Sequence, residues 1–239
     1  MKSMLGIGAV VALTGTAMAV TPFTEDFSYP DGSLVPNGGW VTHSGTAGQV
    51  QVSSGAISLV QGSQSEDVSR SFGSPLGAGE TVFFGFDVTM SGSGPATDTY
   101  FAHVKNSGTF FSSRIFVSSP NAGGDYSYGF SASSTIAGEW STDFSYGSTQ
   151  RVIASYDFDT GAINLWINAS SMGDPSLSFF GFAGDAMEFI AFREAAGNTV
   201  QVIDNVAVGS TFAEVVPTPG AAALMGIAGL ASVRRRRTA

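Results

Sequence analysis

The chain has 239 residues, no cysteine, and 19 acidic against 10 basic residues, which gives a formal net charge of −9 at pH 7. Without cysteine, disulfides, a thiol nucleophile and thiolate metal sites are excluded. Between Val20 and Glu214 the imbalance is larger, with five basic and all 19 acidic residues, a formal charge of −14. This charge argues against a nucleic-acid partner, because phosphate binding requires a basic face.

The chain begins with the pattern of a secretory signal peptide. Lys2 supplies a positive charge, residues 5–13 are apolar and uncharged, and Ala17-Met18-Ala19 is a small-x-small cleavage motif. A first transmembrane anchor is the alternative, which the short apolar stretch disfavours. We predict that residues 1–19 are a signal peptide and that the mature protein, starting at Val20, is exported.

Apolar and polar residues alternate most clearly over residues 81–90, where Phe83 is the one exception. This period of two predicts a half-buried β-strand. Similar runs occupy residues 49–52, 56–60, 67–72, 100–105, 114–118, 127–132, 151–158, 162–168, 187–193 and 199–208. Clusters of Gly, Pro, Asn and Asp separate them and predict turns. So many short strands predict an all-β fold, an antiparallel sandwich or barrel formed by residues 20–214 as one domain.

Three passages carry more specific information than the strand pattern. They are residues 25–32 with Gly38-Gly39-Trp40, residues 156–161 leading into Leu165-Trp166-Ile167-Asn168, and residues 203–209. In this order they resemble the concanavalin A-like, laminin-G-like jelly rolls of bacterial surface proteins. The resemblance implies an antiparallel β-sandwich with a concave face. It also implies a function in sugar binding, protein binding or glycan hydrolysis, among which the fold does not choose.

Catalysis by such a jelly roll requires two carboxylates facing one groove, about 5–5.5 Å or 6.5–9.5 Å apart. Asp157 and Asp159 have a suitable spacing, but Thr160-Gly161 follows them and predicts a hairpin turn in preference to a calcium loop. His43 and His103 are the only histidines, too few for a typical histidine-based zinc site. We therefore predict no catalytic residue. A glycan hydrolase with an unrecognised active site is the alternative hypothesis.

Asp26 and Asp204 are the predicted metal ligands. They lie in the first and last strands, which are commonly neighbours in this type of sandwich, and Ca²⁺ prefers hard oxygen ligands. In related carbohydrate-binding jelly rolls an acidic residue near each end often holds structural Ca²⁺. The alternative is that Asp204-Asn205 forms a β-bulge, because Ile203 and Val206 cannot both face inward in a regular strand.

Sugar binding requires accessible aromatic rings beside amide or carboxylate groups. Ile163, Leu165 and Ile167 predict a buried face for the strand at residues 162–168. The opposite face then carries the predicted ligand-binding residues Asn164, Trp166 and Asn168. The alternative is that Trp166 is buried for structural reasons. Weaker candidates for sugar binding are Trp40, Trp140, Tyr126 and Tyr128. A purely structural module without a ligand is a further hypothesis.

The chain ends in a Pro-spaced turn, an apolar run and a basic cluster. These are Val216-Pro217-Thr218-Pro219-Gly220, residues 221–233, and Arg234, Arg235, Arg236 and Arg237. This order resembles the PEP-CTERM sorting tail of Gram-negative and related bacteria, which exosortase-type membrane enzymes recognise, although Thr218 replaces the usual Glu. The resemblance implies that residues 215–239 form a sorting tail with a short transmembrane helix, its arginines held in the cytoplasm. We predict a cell-surface or matrix protein, anchored transiently through this tail, that binds extracellular polysaccharide.

Overall fold

The computed structural model describes residues 20–216. The predicted signal peptide and the sorting motifs from Pro217 onward lie outside these residues. No helix of the described part is long and apolar enough to cross a membrane. The elements in chain order are β1 Phe23–Glu25, β2 Gly32–Ser33, a 3₁₀ turn Asn37–Gly39, β3 Val41–Ser44, β4 Gln51–Ser53, β5 Ala56–Val60, β6 Asp67–Ser71, β7 Thr81–Gly92, β8 Thr99–Lys105, β9 Phe111–Ser118, β10 Ser127–Ser131, β11 Gly138–Glu139, β12 Thr149–Asp157, β13 Ala162–Ile167, β14 Leu177–Phe180, β15 Phe189–Arg193, β16 Thr199–Gly209 and α1 Phe212–Val215.

The strands form two antiparallel sheets. A nine-stranded sheet runs in the order β14-β13-β12-β7-β16-β5-β4-β2, with β1 also paired to β16, and a seven-stranded sheet runs β11-β10-β9-β8-β15-β6-β3. The all-β antiparallel sandwich predicted from the sequence is confirmed. Each predicted strand is present, most with ends shifted by one to three residues. The short strands β2, β3, β11 and β14 were not predicted, because two to four residues carry too little alternation. The first strand was predicted to include Asp26, but β1 ends at Glu25 and Asp26 directly follows it.

The interior lies between the inner faces of the two sheets. Strand β7 contributes Val82, Phe84, Phe86, Val88 and Met90, as its alternation predicts. From the opposite sheet Phe192 packs edge-on to Phe86, with their ring centroids 5.3 Å apart, and it stacks on Trp40 at 5.5 Å. Burying apolar surface at about 25 cal/mol per Å² stabilises this sandwich without any disulfide.

A second apolar cluster covers the outer face of the nine-stranded sheet. Helix α1 follows β16 directly and places Phe212 against Trp166, at 5.1 Å between ring centroids, and against Phe83, at 6.2 Å. Val215 is also fully buried there, and Val216 packs against the same cluster. The helix begins with a capping box between Thr211 and Glu214. Phe83, the exception in the β7 pattern, therefore belongs to this outer cluster.

The first family-like passage forms a buried polar hub around Glu25. Its carboxylate accepts hydrogen bonds from the Phe27 amide at 2.9 Å, the Tyr29 hydroxyl at 2.7 Å and the Trp40 indole at 3.3 Å. Arg70 completes the hub with an ion pair of 2.7 Å. A buried carboxylate is tolerated when its lone pairs are occupied in this way. This passage therefore has a structural role in joining β1 to β6.

The other two passages also form local structures. Asp157 accepts hydrogen bonds from the Thr160 amide and from the Gly161 amide, and Gly161 has a positive φ of 66°, so this passage is a turn between β12 and β13. The register of β16 against β7 shifts between Asp204 and Ala207, and Asn205 has φ 50°. The β-bulge considered for Asp204-Asn205 is thus confirmed. It allows both Ile203 and Val206 to be buried.

Candidate functional site

The outer face of the seven-stranded sheet carries a group of polar and aromatic side chains in mutual contact. Ile190 and Phe192 of β15 are buried in the interior, so Arg193 points outward, and β6 places Asp67 opposite it in register. Irregularities in the pairing of β8 with β9 turn Tyr100 outward beside the buried Phe101. These positions arise from strand alternation that two bulges interrupt.

Seven side chains meet on this face, and we call them the outer-face cluster. They are His43, Asp67, Tyr100, His103, Phe111, Arg114 and Arg193. The His103 ring lies at their centre, with its centroid 4.6 Å from that of Phe111, 5.6 Å from that of Tyr100 and 6.3 Å from that of His43. Tyr100 also contacts Phe116, at 5.6 Å between centroids. The cluster is a continuous aromatic surface with polar groups set into it.

Two guanidinium groups pack on the rings of the outer-face cluster. Arg193 lies 4.2 Å from the Tyr100 centroid, and Arg114 lies 5.2 Å from the same centroid and 5.6 Å from that of Phe111. Attraction between a cation and an aromatic face holds such groups in place. Burial and the neighbouring Arg193 lower the pKa of Arg114, although its guanidinium stays charged at neutral pH.

Both histidines have unused hydrogen-bonding capacity. Nδ1 and Nε2 of His43 and of His103 make no hydrogen bond within residues 20–216, and His103 is completely buried. Burial lowers the pKa of His43 to about 4 and that of His103 well below its ordinary value, so both rings are neutral at pH 7. A buried polar group without a partner costs about 1–3 kcal/mol.

Asp67 is the one carboxylate of the outer-face cluster. Its Oδ2 lies 3.9 Å from Nε of Arg193, and its Oδ1 has no partner within the described chain. Burial raises the pKa of Asp67 to about 6. At neutral pH it is therefore a mostly charged acceptor at the edge of the cluster, while the two arginines act as donors.

The sequence-predicted sugar-binding residues lie on the other sheet. Trp166 faces away from the interior as predicted, but it is only 3% exposed because Phe212 and Phe83 cover its ring. The structure therefore does not present Trp166 as a stacking surface, a correction to the sequence-based expectation. Asn164 accepts a 2.7 Å hydrogen bond from Ser178, and Asn168 accepts one of 2.8 Å from the Arg151 amide. Both amides thus act in pairing and turn structure.

The weaker aromatic candidates are also mostly internal. Trp40, Tyr126 and Tyr128 are fully buried, and the half-buried Trp140 packs against the interior. Trp40, Tyr126 and Tyr128 belong to the interior cluster between the two sheets. None of the three buried rings has a face open to a ligand.

The charge of one predicted calcium ligand, Asp26, affects the pKa of the other, Asp204. Asp26 is exposed and its Oδ1 accepts a 3.2 Å hydrogen bond from Ser28, while Asp204 is half-buried. Burial and the charges of Asp87 and Asp26 raise the pKa of Asp204. Across the described residues, no group of three or more His, Asp or Glu is arranged to hold a metal ion. The first and last strands, β1 and β16, are neighbours as predicted, and Ca²⁺ at Asp26 and Asp204 stays a prediction.

Sequence reasoning considered His43 and His103 only as zinc ligands and did not bring them together with Tyr100 and Arg114. Alternation in residues 100–105 offered only a partial signal, since it places His103 and Lys105 on one face but Tyr100 on the other. The pairing of β8 with β15 and β9, which completes the cluster, depends on non-local contacts.

No family model matches the chain, and no curated protein sequence matches it significantly. Among solved structures it is similar to the lectin from Bauhinia forficata in complex with GalNAc, with a TM-score of 0.54, 11% identity, and coverage of 81% of this chain and 99% of that one. It is also similar to lectin I-B4 from Griffonia simplicifolia in a metal-free form, with a TM-score of 0.54, 11% identity, and coverage of 80% and 100%. Lectin II from Ulex europaeus gives a TM-score of 0.52 at 12% identity over 79% of this chain and 97% of that one. At these identities the likeness shows the fold alone: residues 20–216 form a two-sheet antiparallel sandwich that matches the fold of these lectins.

Proposed function

We propose that the body of this protein is a non-catalytic glycan-binding module whose ligand contacts the outer-face cluster. The observation that carries the proposal is the combination, on one sheet face, of half-buried aromatic rings with two guanidinium groups and a carboxylate. Binding sites for small polar ligands commonly combine apolar and aromatic walls with a few convergent polar groups. The lectin-like fold supports the proposal by analogy.

The chemistry of the outer-face cluster suits a sugar. Tyr100 and Phe111 are half-buried, so each keeps part of its surface accessible for the apolar face of a pyranose. Arg114 and Arg193 supply donors and Asp67 supplies an acceptor, which together can satisfy ring hydroxyls. His103 is completely buried beneath Tyr100 and Phe111, where it supports the two rings.

We favour binding over glycan hydrolysis because the outer-face cluster, as defined, contains one carboxylate. Hydrolysis of a glycosidic bond by the usual route requires an acid and a second carboxylate on opposite sides of the scissile bond. The raised pKa of Asp67, about 6, would suit an acid, but its neighbour across the strand pair is Arg193. A hydrolase remains the alternative function. Release of reducing sugar from a glycan that the protein binds would reveal it.

We further propose that the protein is exported and sorted to the cell surface or extracellular matrix by an exosortase-type enzyme. The support is the sequence of residues 1–19 and of Pro217, Thr218, Pro219 and Arg234–Arg237. Val216 is the last described residue and still packs against the cluster around Phe212, so the Pro-spaced motif directly follows the folded body. Replacing the four arginines with Ser is expected to release full-length protein to the medium. A variant that is retained and trimmed like the parent would contradict the sorting proposal.

A glycan array probed with the purified protein tests the binding function. We expect selective binding that is lost in Tyr100→Ala, which removes the ring between the two guanidinium groups. Phe180→Ala is the matched control, since Phe180 is 76% exposed on the edge strand β14 of the other sheet. No binding by the folded wild-type protein would favour a purely structural module, and equal loss in both variants would move the site elsewhere.

A further inference from the structure

We infer that the glycan recognised by the outer-face cluster is acidic, a polysaccharide whose sugars carry carboxylates as uronic acids do. This inference rests on the proposed glycan-binding function and adds the chemical class of the ligand. It arises from how the few positive charges of an acidic protein are distributed over its surface.

Three of the five basic residues of the body lie on one face. Arg70 is paired with Glu25 and Arg151 lies on the outer face of the other sheet, where it contacts the Val215 carbonyl. The remaining three, Lys105, Arg114 and Arg193, lie on the outer face of the seven-stranded sheet. Around them the body carries a formal charge of −14. A positive patch on such a surface attracts anions, and the negative charge of the rest of the surface disfavours their binding elsewhere.

Arg114 is the one of these three cations without a carboxylate partner within residues 20–216. Its guanidinium is held over Tyr100 and Phe111, and its buried Nε donates to no atom of residues 20–216. The charged side chain that lowers its pKa is another cation, Arg193. A guanidinium presents a planar fork of donors that matches a carboxylate in two parallel hydrogen bonds. A ligand carboxylate would therefore supply the partner that the chain does not provide.

Two carboxylates on this face offset the positive charge of only part of the patch. Asp67 lies 3.9 Å from Nε of Arg193, and Glu188 acts on Lys105, whose Nζ also donates a 2.7 Å hydrogen bond to the Asn106 carbonyl. Neither carboxylate is paired with Arg114. The aromatic surface beside Arg114 provides room for the sugar ring that would carry the acidic group. A ligand with regularly spaced carboxylates fits this arrangement better than a neutral sugar.

Binding of polygalacturonate fragments, compared with the same fragments after methyl esterification, tests the inference with one backbone in two charge states. The purified protein is titrated calorimetrically with each. We expect at least tenfold tighter binding of the free acid, because its carboxylate can form charge-assisted hydrogen bonds with a guanidinium group. The preference should fall as salt screens the charges.

Arg114→Gln should remove the preference for the free acid, and Arg114→Lys should restore part of it. Ser53→Asp is the control, because it changes the net charge by the same amount at an exposed position on β4 of the other sheet. Melting temperatures confirm that each variant is folded. Equal affinity for acid and ester, or an Arg114→Gln variant that keeps the preference, would overturn the acidic ligand while leaving glycan binding in place. Failure of the wild-type protein to bind any acidic or neutral glycan would overturn the proposed function itself.

Discussion

Arg151 donates a hydrogen bond of 2.5 Å from Nη2 to the main-chain carbonyl of Val215, the last residue of α1. Its Nη1 donates a second one, of 2.6 Å, to the carbonyl of Asn205 in the β16 bulge. One buried cation thus joins the bulge to the helix that covers Trp166. A helix of four residues has little stability of its own, so this tie and the contacts of Phe212 hold it on the sheet.

We predict that Phe212→Ala detaches α1 and lowers the free energy of unfolding by about 3 kcal/mol, within the range for removing a buried phenylalanine. The variant should also expose Trp166 to water, so that tryptophan emission shifts to longer wavelength. Urea unfolding and fluorescence measure the two effects. Phe180→Ala, at an exposed position, should change neither, and an unshifted emission in Phe212→Ala would show that Trp166 is covered by something else.

Glu25→Ala should destabilise the body by roughly 3–5 kcal/mol, because it leaves the charge of Arg70 and the indole N–H of Trp40 without partners in a buried place. Thr24→Ala, at the exposed neighbouring position on β1, is expected to cost less than about 0.5 kcal/mol. Chemical denaturation compares them. Similar costs for the two substitutions would contradict the role of Glu25 as a hub.

The buried His43 should make the protein less stable in acid. Its folded pKa of about 4 is below the unfolded value of 6.5, so the unfolded chain binds the proton first as pH falls. The histidine therefore costs no stability above about pH 6.5. Between pH 6.5 and 4 it lowers the free energy of unfolding progressively, by about 2 kcal/mol at pH 5. The raised pKa of Asp67, about 6, acts in the opposite direction. Urea unfolding of wild type and His43→Phe at pH 7.5 and 5.0 isolates the histidine, since the variant should lose less stability on acidification. Equal losses would contradict the assignment.

The calcium prediction concerns Asp26 and Asp204, whose mutual repulsion a divalent cation would relieve. We expect the melting temperature to rise in millimolar Ca²⁺ relative to chelator, because a ligand at a hundredfold excess over Kd adds about 2.7 kcal/mol. Asp204→Asn should abolish the rise, whereas Asp174→Asn, at an exposed turn, should keep it. Identical melts of the wild-type protein in calcium and chelator would remove this pair as a metal site.

The sandwich could be predicted because, in long strands such as β7, the alternation of apolar residues matches the alternation of buried side chains. Val82, Phe84 and Phe86 are an example. It failed for Trp166, since alternation places a side chain on a face but does not reveal that Phe212, far along the chain, covers that face. The outer-face cluster was missed for a related reason. Tyr100 and Arg114 come together only through irregular pairing between β8 and β9, which local patterns do not encode.

The most direct test of glycan binding at the outer-face cluster is the affinity of an array-positive oligosaccharide for wild type, Tyr100→Ala and Phe180→Ala, measured by calorimetry. Tyr100 contacts His103, Phe116 and both guanidinium groups, so its loss should weaken binding at least tenfold. Phe180→Ala should bind like the wild type. Unchanged affinity in a folded Tyr100→Ala variant would contradict the account.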